Sequence, residues 1–226
     1  MALRKVNFVE GEFFHIFNRG NSKQEIFLDN EDYDRFIKLL YLCNSTTRVN
    51  FKEDIVKQRI DAWDFKRGDQ LVCVGAWVLM PNHFHLYITL AQGRSLGSNG
   101  ISIFMRKLCT AYTMYFNKKY SRTGSLFEGR FKSVHISSEP QAQYLFSYIH
   151  LNPVKLFQSD WKEKGISANR KAFVFLDTYR WSSYNDFLGR KRPESAILDR
   201  ENFIDYFKDE QAFKKDILTW FKLKLE

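Results

Sequence analysis

Residues 83–90 read HFHLYITL, which sets two histidines one residue apart at the head of an apolar run. In an extended chain side chains alternate, so His83, His85, Tyr87 and Thr89 share one face, and Phe84, Leu86, Ile88 and Leu90 the other. Two neutral imidazoles side by side are suitable ligands for a divalent metal, provided a third ligand comes from elsewhere in the fold. The same pair also suits a strand that enters a sheet with its polar face uppermost. H-x-H spacing alone does not separate the two readings.

A second stripe lies in EPQAQYLFSYIHLNP, where Tyr144, Tyr148 and Asn152 fall four apart. On a helix they line one side, so a phenol and an amide can face a common point. Read alone, this is also the pattern of two amphipathic core tyrosines and a C-capping Asn. A third group is basic and aromatic: Lys118, Lys119, Arg122, Arg130 and Lys132, interleaved with Tyr120, Phe127 and Phe131. Cations can hold phosphates while rings stack on unpaired bases. The alternative is a solvated basic loop with its rings turned inward. Arg19 and Asn21, either side of Gly20, touch a ligand or only form a turn, and His15, His135 and His150 read as structural.

The bulk composition bounds these options. The chain has 226 residues with 35 Lys plus Arg against 26 Asp plus Glu, a net charge of +9, which favours a polyanionic partner over a neutral small molecule. A hydrophobic fraction of 44% with 27% charged residues excludes disorder as the main state. Cys43, Cys73 and Cys109 are odd in number and form no C-x-x-C pattern, so neither a disulfide framework nor a cysteine zinc site is expected, and a reducing cytoplasm fits. The start MALRKVNFVEGEFF lacks the apolar core of a signal peptide, and LVCVGAWVLM is about half of a membrane span.

These groups need elements to position them. GEFFHIF reads as a first strand ending at Arg19-Gly20-Asn21, and NEDYDRFIKLLYLCNS as a helix opened by Asn30. Residues 46–68 read as an insertion with a possible short helix. QLVCVGAWVLM then forms a central strand, followed across a Pro-Asn turn by the two-histidine strand. A helix is expected from Leu96 to Lys119, with Phe104, Leu108, Ala111 and Tyr115 on its apolar stripe. FKSVHIS gives a last strand, and a helix follows that a Ser138–Gln141 box opens and Pro153 ends. The expected class is α+β: a ferredoxin-like βαββαβ antiparallel sheet with helices on one face, an added tyrosine-bearing helix, and a C-terminal helical extension. The expected division is a domain of residues 1–157 with residues 158–226 packed on it.

In combination, VLMPNHFHLYI, SRTGSLFEGRFKSVHI, YIHLNPVK and YRWSSYNDFLG resemble the single-tyrosine HUH transposases (IS200-like), above all the REP-associated tyrosine transposases. HIFNRGNSKQEIFLDNEDYDRFIKLL is similar to the opening segment of that family, and the resemblance spans roughly residues 10 to 190. It implies that His83 and His85 bind a metal, Mg²⁺ or Mn²⁺, with Asn152 as third ligand, and that Tyr148 is a nucleophile. It implies cleavage and rejoining of hairpin or palindromic single-stranded DNA through a 5′-phosphotyrosine, in the cytoplasm at the nucleoid of a bacterial cell. Arg19, Asn21, Lys118, Lys119, Arg122, Phe127, Arg130 and Lys132 are then the candidate DNA contacts. The chain departs from the family at Leu156-Phe157, where a small Ala-Gly pair is common, and in the length of 46–68. The main alternative is a domesticated protein that binds DNA hairpins without cutting, and another is a hydrolase of small phosphoesters. The subunit count, monomer or homodimer, stays open.

Overall fold

The computed structural model describes residues 7–91, 99–166, 169–203 and 209–222. The alternating and helical periods of the sequence are realised in order as β1 (Phe13–Arg19), α1 (Asn30–Cys43), β2 (Val72–Met80), β3 (His83–Leu90), α2 (Gly100–Lys119), β4 (Lys132–Ile136) and α3 (Glu139–Leu151). The strands form one sheet in the order β2-β3-β1-β4. Every pairing is antiparallel. This is the α+β, ferredoxin-like arrangement that the sequence predicts.

Alternation decides which face each side chain serves. Phe14 and Ile16 of β1 and Phe84, Leu86 and Ile88 of β3 are fully buried on one face. There α1 and α2 cover them: Phe36 of α1 lies 5.0 Å from Phe84 and 4.9 Å from Tyr112 of α2, ring to ring. Burial of each such ring stabilises the fold by about 1.5–3 kcal/mol. The apolar stripe of α2 runs through Ile101, Phe104, Met105, Leu108, Tyr112 and Phe116, whereas Ala111 and Tyr115 are only partly buried. The observed stripe matches the expected one at its start and is turned by one position at its end. The expected first turn from Leu96 falls partly outside the described residues.

Two helix boundaries differ from expectation in their caps. α1 is opened by Asp29, not Asn30: Asp29 accepts from the Asp32 backbone N–H at 3.0 Å and Asp32 accepts in return, so two aspartates form the capping box. At α3 the Ser138 side chain makes no capping bond, and Gln141 instead accepts from the Ser137 N–H at 3.0 Å. Pro153 does not force its predecessor out of the helical region either. Asn152 keeps φ −52° and ψ −40°, and the chain tightens into a 3₁₀ turn over Asn152–Leu156.

α3 lies on the other face of the sheet, over β2 and β3, and the C-terminal segments hold it there. The later helices are α4 (Trp161–Lys164), α5 (Asn169–Thr178), α6 (Tyr184–Phe187) and α7 (Glu210–Lys222). Phe146 of α3 packs on Phe187 and Phe213, and Ser147 donates to Asp216 at 2.8 Å. Ser183 links α3 to the sheet, meeting His150 at 2.8 Å and accepting from the Trp77 N–H at 3.0 Å. The Leu79 N–H donates to the Trp181 carbonyl, and Val74 accepts from the Asp199 N–H, so the outer edge of β2 is paired and every residue of β2 is buried. At the bulge between Val74 and Ala76, Gly75 admits the Phe203 ring, which a Cβ would meet at 2.6 Å. Residues 46–68 carry one wide turn at Phe51–Val56 and a 3₁₀ turn at Ala62–Asp64, closed over a satellite cluster of Leu42, Ile55 and Ala62.

Candidate active site

The polar face of β3 points at α3. His83 and His85 stand with ring centroids 5.0 Å apart and planes at 84°. Tyr148 projects from α3 onto His85 at 5.4 Å, edge to face at 74°, and Tyr144 stacks parallel on Tyr148 at 6.1 Å. α3 is fixed in this rotation because Ala142, Leu145, Phe146 and Ile149 are buried on its other side. The two stripes that the sequence offers separately therefore converge within one chain.

Asn152 completes the floor. Its side chain is wholly buried, and among the described residues neither amide atom makes a hydrogen bond of full geometry, although the amide is near enough to His83 and Tyr148 to act on both. An unmet buried amide costs about 1–3 kcal/mol and leaves its oxygen available to a ligand. The amide lies close to both His83 and Tyr148, favouring the charged form of each. Among the described residues no three His, Cys, Asp or Glu gather as a metal-ligand cluster. The donor set available to a cation is thus two imidazoles and an amide oxygen, a set that fits.

Electrostatics keep the His83 imidazole neutral. Burial, then the charge of Lys155, pushes the His83 pKa down to about 4, with Arg19 adding a smaller effect in the same direction and Asn152 opposing. At neutral pH His83 therefore carries a lone pair and not a charge. The Nδ1 sides of both histidines are engaged. His83 Nδ1 meets Asn82 Oδ1 at 2.6 Å, and Asn82 Nδ2 donates to the Lys23 carbonyl, which fixes the amide so that its oxygen faces His83. His85 Nδ1 meets His15 Nε2 at 2.8 Å. Tyr148 is pushed above the ordinary phenol value by burial.

The expected DNA contacts separate into two groups. Lys118, Arg130, Lys132 and Asn21 are at least partly exposed. Lys132 opposes Phe17, which opposes His85, so Lys132 emerges on the same sheet face as the histidines. Arg19 opposes His83 and forms a two-pronged pair with Glu128, one contact at 2.9 Å. The Arg122 guanidinium lies over the Phe116 ring at 5.5 Å. Two of the expected contacts are engaged within the protein instead. Phe127 is only 5% exposed and faces Phe84 and Tyr112, so it has no open face for a base. Lys119 sits 2.8 Å from Asp29, 2.9 Å from Glu31 and 3.0 Å from the fully buried Asp32, and its charge is spent on them.

Sequence reasoning missed two neighbours of the site. His15, read as structural, alternates onto the histidine face of β1, a signal visible once β1 and β3 are paired. Lys155, three residues beyond Asn152, brings its charge close to His83.

No protein-family model matches the chain. No curated protein matches it. Among solved structures, it is similar to a REP-associated tyrosine transposase bound to a REP hairpin, at 15% identity and TM-score 0.48, over 86% of this chain and 90% of that one. It is also similar to a Deinococcus radiodurans R1 protein named for a transposase, at 13% identity and TM-score 0.34, over 64% of this chain and 92% of that one. At these values the likeness concerns the course of the chain and says nothing of chemistry.

Proposed function

We propose that the protein is a DNA strand transferase that holds hairpin or palindromic single-stranded DNA and cleaves and rejoins it through a 5′-phosphotyrosine at Tyr148. The observation that carries this reading is the convergence of Tyr148, His83, His85 and the amide of Asn152 on one half-buried polar spot. The motif resemblance and the basic charge of +9 support the same reading.

The chemistry asked of the site is an in-line attack. Tyr148 Oη bonds to phosphorus, the P–O3′ bond breaks, and the phenolic proton leaves while the 3′ oxygen gains one; reversal reseals the strand. A free phenol has a pKa of about 10, so reaching phenolate at pH 7 costs roughly 4 kcal/mol. Burial of Tyr148 adds to that cost, and the nearby Asn152 amide reduces it. A Mg²⁺ or Mn²⁺ ion bound by His83, His85 and Asn152 would supply positive charge for the phosphate and its transition state. The residues themselves orient the phenol: stacking on Tyr144 and the edge contact with His85 leave the Tyr148 ring little rotation. Lys132, Arg130 and Lys118 extend positive charge from this face toward the loop after α2, a path for phosphates.

Incubation with Mn²⁺ and a hairpin oligonucleotide labelled at its 3′ end is expected to give a labelled adduct stable to denaturant. The same oligonucleotide labelled at its 5′ end should give none. Hairpin binding without an adduct under any divalent metal would instead assign the protein to DNA holding without cutting.

A further inference from the structure

We propose that His15 is a positioning residue for His85: its Nε2 accepts the Nδ1–H of His85 and so holds the tautomer in which His85 Nε2 carries the lone pair. The contact is 2.8 Å long, with the two rings at 5.0 Å and nearly parallel at 29°. Both rings are packed among other rings. His15 is flanked by Phe17 at 4.8 Å and meets the edge of Tyr148 at 6.4 Å, while His85 lies between Phe17, His83 and Tyr148 and is 7% exposed. The pairing register explains the meeting: His15 opposes Tyr87 on β3, one step along the same face from His85, so the contact runs diagonally between neighbouring strands.

The arrangement repeats one made for the neighbouring histidine. Asn82 Oδ1 can only accept from His83 Nδ1, because its own amide nitrogen is turned to the Lys23 carbonyl. His83 is therefore an Nδ1–H tautomer, with its lone pair on Nε2. An imidazole outside a protein favours the opposite tautomer, so each histidine of a facing pair needs an acceptor at Nδ1 to present Nε2 as a ligand atom. Asn82 supplies one acceptor, and His15, with its own proton on Nδ1, supplies the other from a different strand.

The contact itself stands on geometry, whereas the direction, with His85 as donor, and the use of the lone pair rest on the proposed function. The test is nitrogen-15 NMR of the histidine side chains in chelator-treated protein, where the two neutral tautomers give distinct Nδ1 and Nε2 shifts. His85 is expected as Nδ1–H in the native chain, to move toward Nε2–H in His15→Leu, and to return in His15→Gln, whose side-chain oxygen can accept. A native His85 in the Nε2–H form, or a tautomer unmoved by His15→Leu in a folded variant, overturns the proposal. Mn²⁺ titration of the same samples should show affinity about 10- to 100-fold weaker in His15→Leu, with recovery in His15→Gln. If the native chain binds no Mn²⁺ while the tautomers behave as expected, the metal-based function fails and the role of His15 stands.

Discussion

The edge of the Tyr148 ring rests on the face of His85, 5.4 Å between centroids, although the two residues come from a helix and a strand separated by α2 and β4. Both belong to one chain, so the site needs no second copy to bring phenol and imidazole together. On the proposed function the phosphate sits against the phenol, above the two imidazoles, at the mouth of a face that β4 leaves open. Val134 of that strand is 49% exposed and Lys132 is exposed as well.

Asn152 should trade stability against ligand binding. Replacing its unmet buried amide with an apolar group of similar volume, Asn152→Leu, removes a cost of about 1–3 kcal/mol. In the metal-free protein the thermal midpoint is expected to rise by about 2–4 °C for each kcal/mol gained. Any upward shift of the midpoint that Mn²⁺ gives the native chain should shrink in the variant. Differential scanning calorimetry with and without Mn²⁺ reads both effects, and a variant less stable than the native chain without metal would contradict the account of an unmet amide.

Lys119 and Lys132 should separate fold from binding. Lys119→Met leaves the buried Asp32 with its tyrosine donors, Tyr115 at 3.0 Å and Tyr120 at 2.7 Å, but without its cation. Stability is expected to fall by about 1–3 kcal/mol in urea denaturation, less than for a buried pair broken with no other donors. Lys132→Ala should leave stability within about 0.5 kcal/mol. It should lower the slope of log affinity against log salt for single-stranded DNA by about 0.7. The reverse pattern, Lys119 affecting DNA and Lys132 the fold, would refute the division.

Alkali should unfold the protein in step with tyrosine ionisation. Burial raises the phenols of Tyr112, Tyr179 and Tyr184 above their ordinary value of about 10, and Tyr33 to about 12. A group whose folded pKa is raised contributes stability that is complete below the unfolded pKa and is lost as pH rises past it. Stability should therefore hold to about pH 10 and fall above it. The share of tyrosinate absorbance that comes from these phenols should rise in one cooperative step that coincides with loss of circular dichroism. Smooth titration of all tyrosines near pH 10 in a folded protein would show that these phenols are not buried.

Local periodicity made most of the fold legible. The alternation of HFHLYITL assigned the histidine face, and four-residue spacing put Tyr148 and Asn152 on one stripe; both follow from side-chain geometry within a single element. The features that stayed hidden depend on partners far along the chain. Phe127 turns inward because its backbone bridges to Gly20, and Lys119 is neutralised by acids roughly ninety residues earlier that also cap α1. His15 became a neighbour of His85 only through the register of β1 on β3. Asn152 stayed helical before Pro153 because the chain continues as a 3₁₀ turn, a choice that packing makes and not local preference.

Tyr148 is the residue proposed to bond to DNA, and peptide mapping of the adduct tests that directly. Trypsin should release residues 133–155 as one peptide, SVHISSEPQAQYLFSYIHLNPVK, which holds both Tyr144 and Tyr148. Tandem mass spectrometry after nuclease trimming is expected to place the nucleotide phosphate on Tyr148, with Tyr148→Phe still binding the hairpin but forming no adduct. A nucleotide on Tyr144, which is 37% exposed and stacked beside it, or an undiminished adduct in Tyr148→Phe, would contradict the assignment.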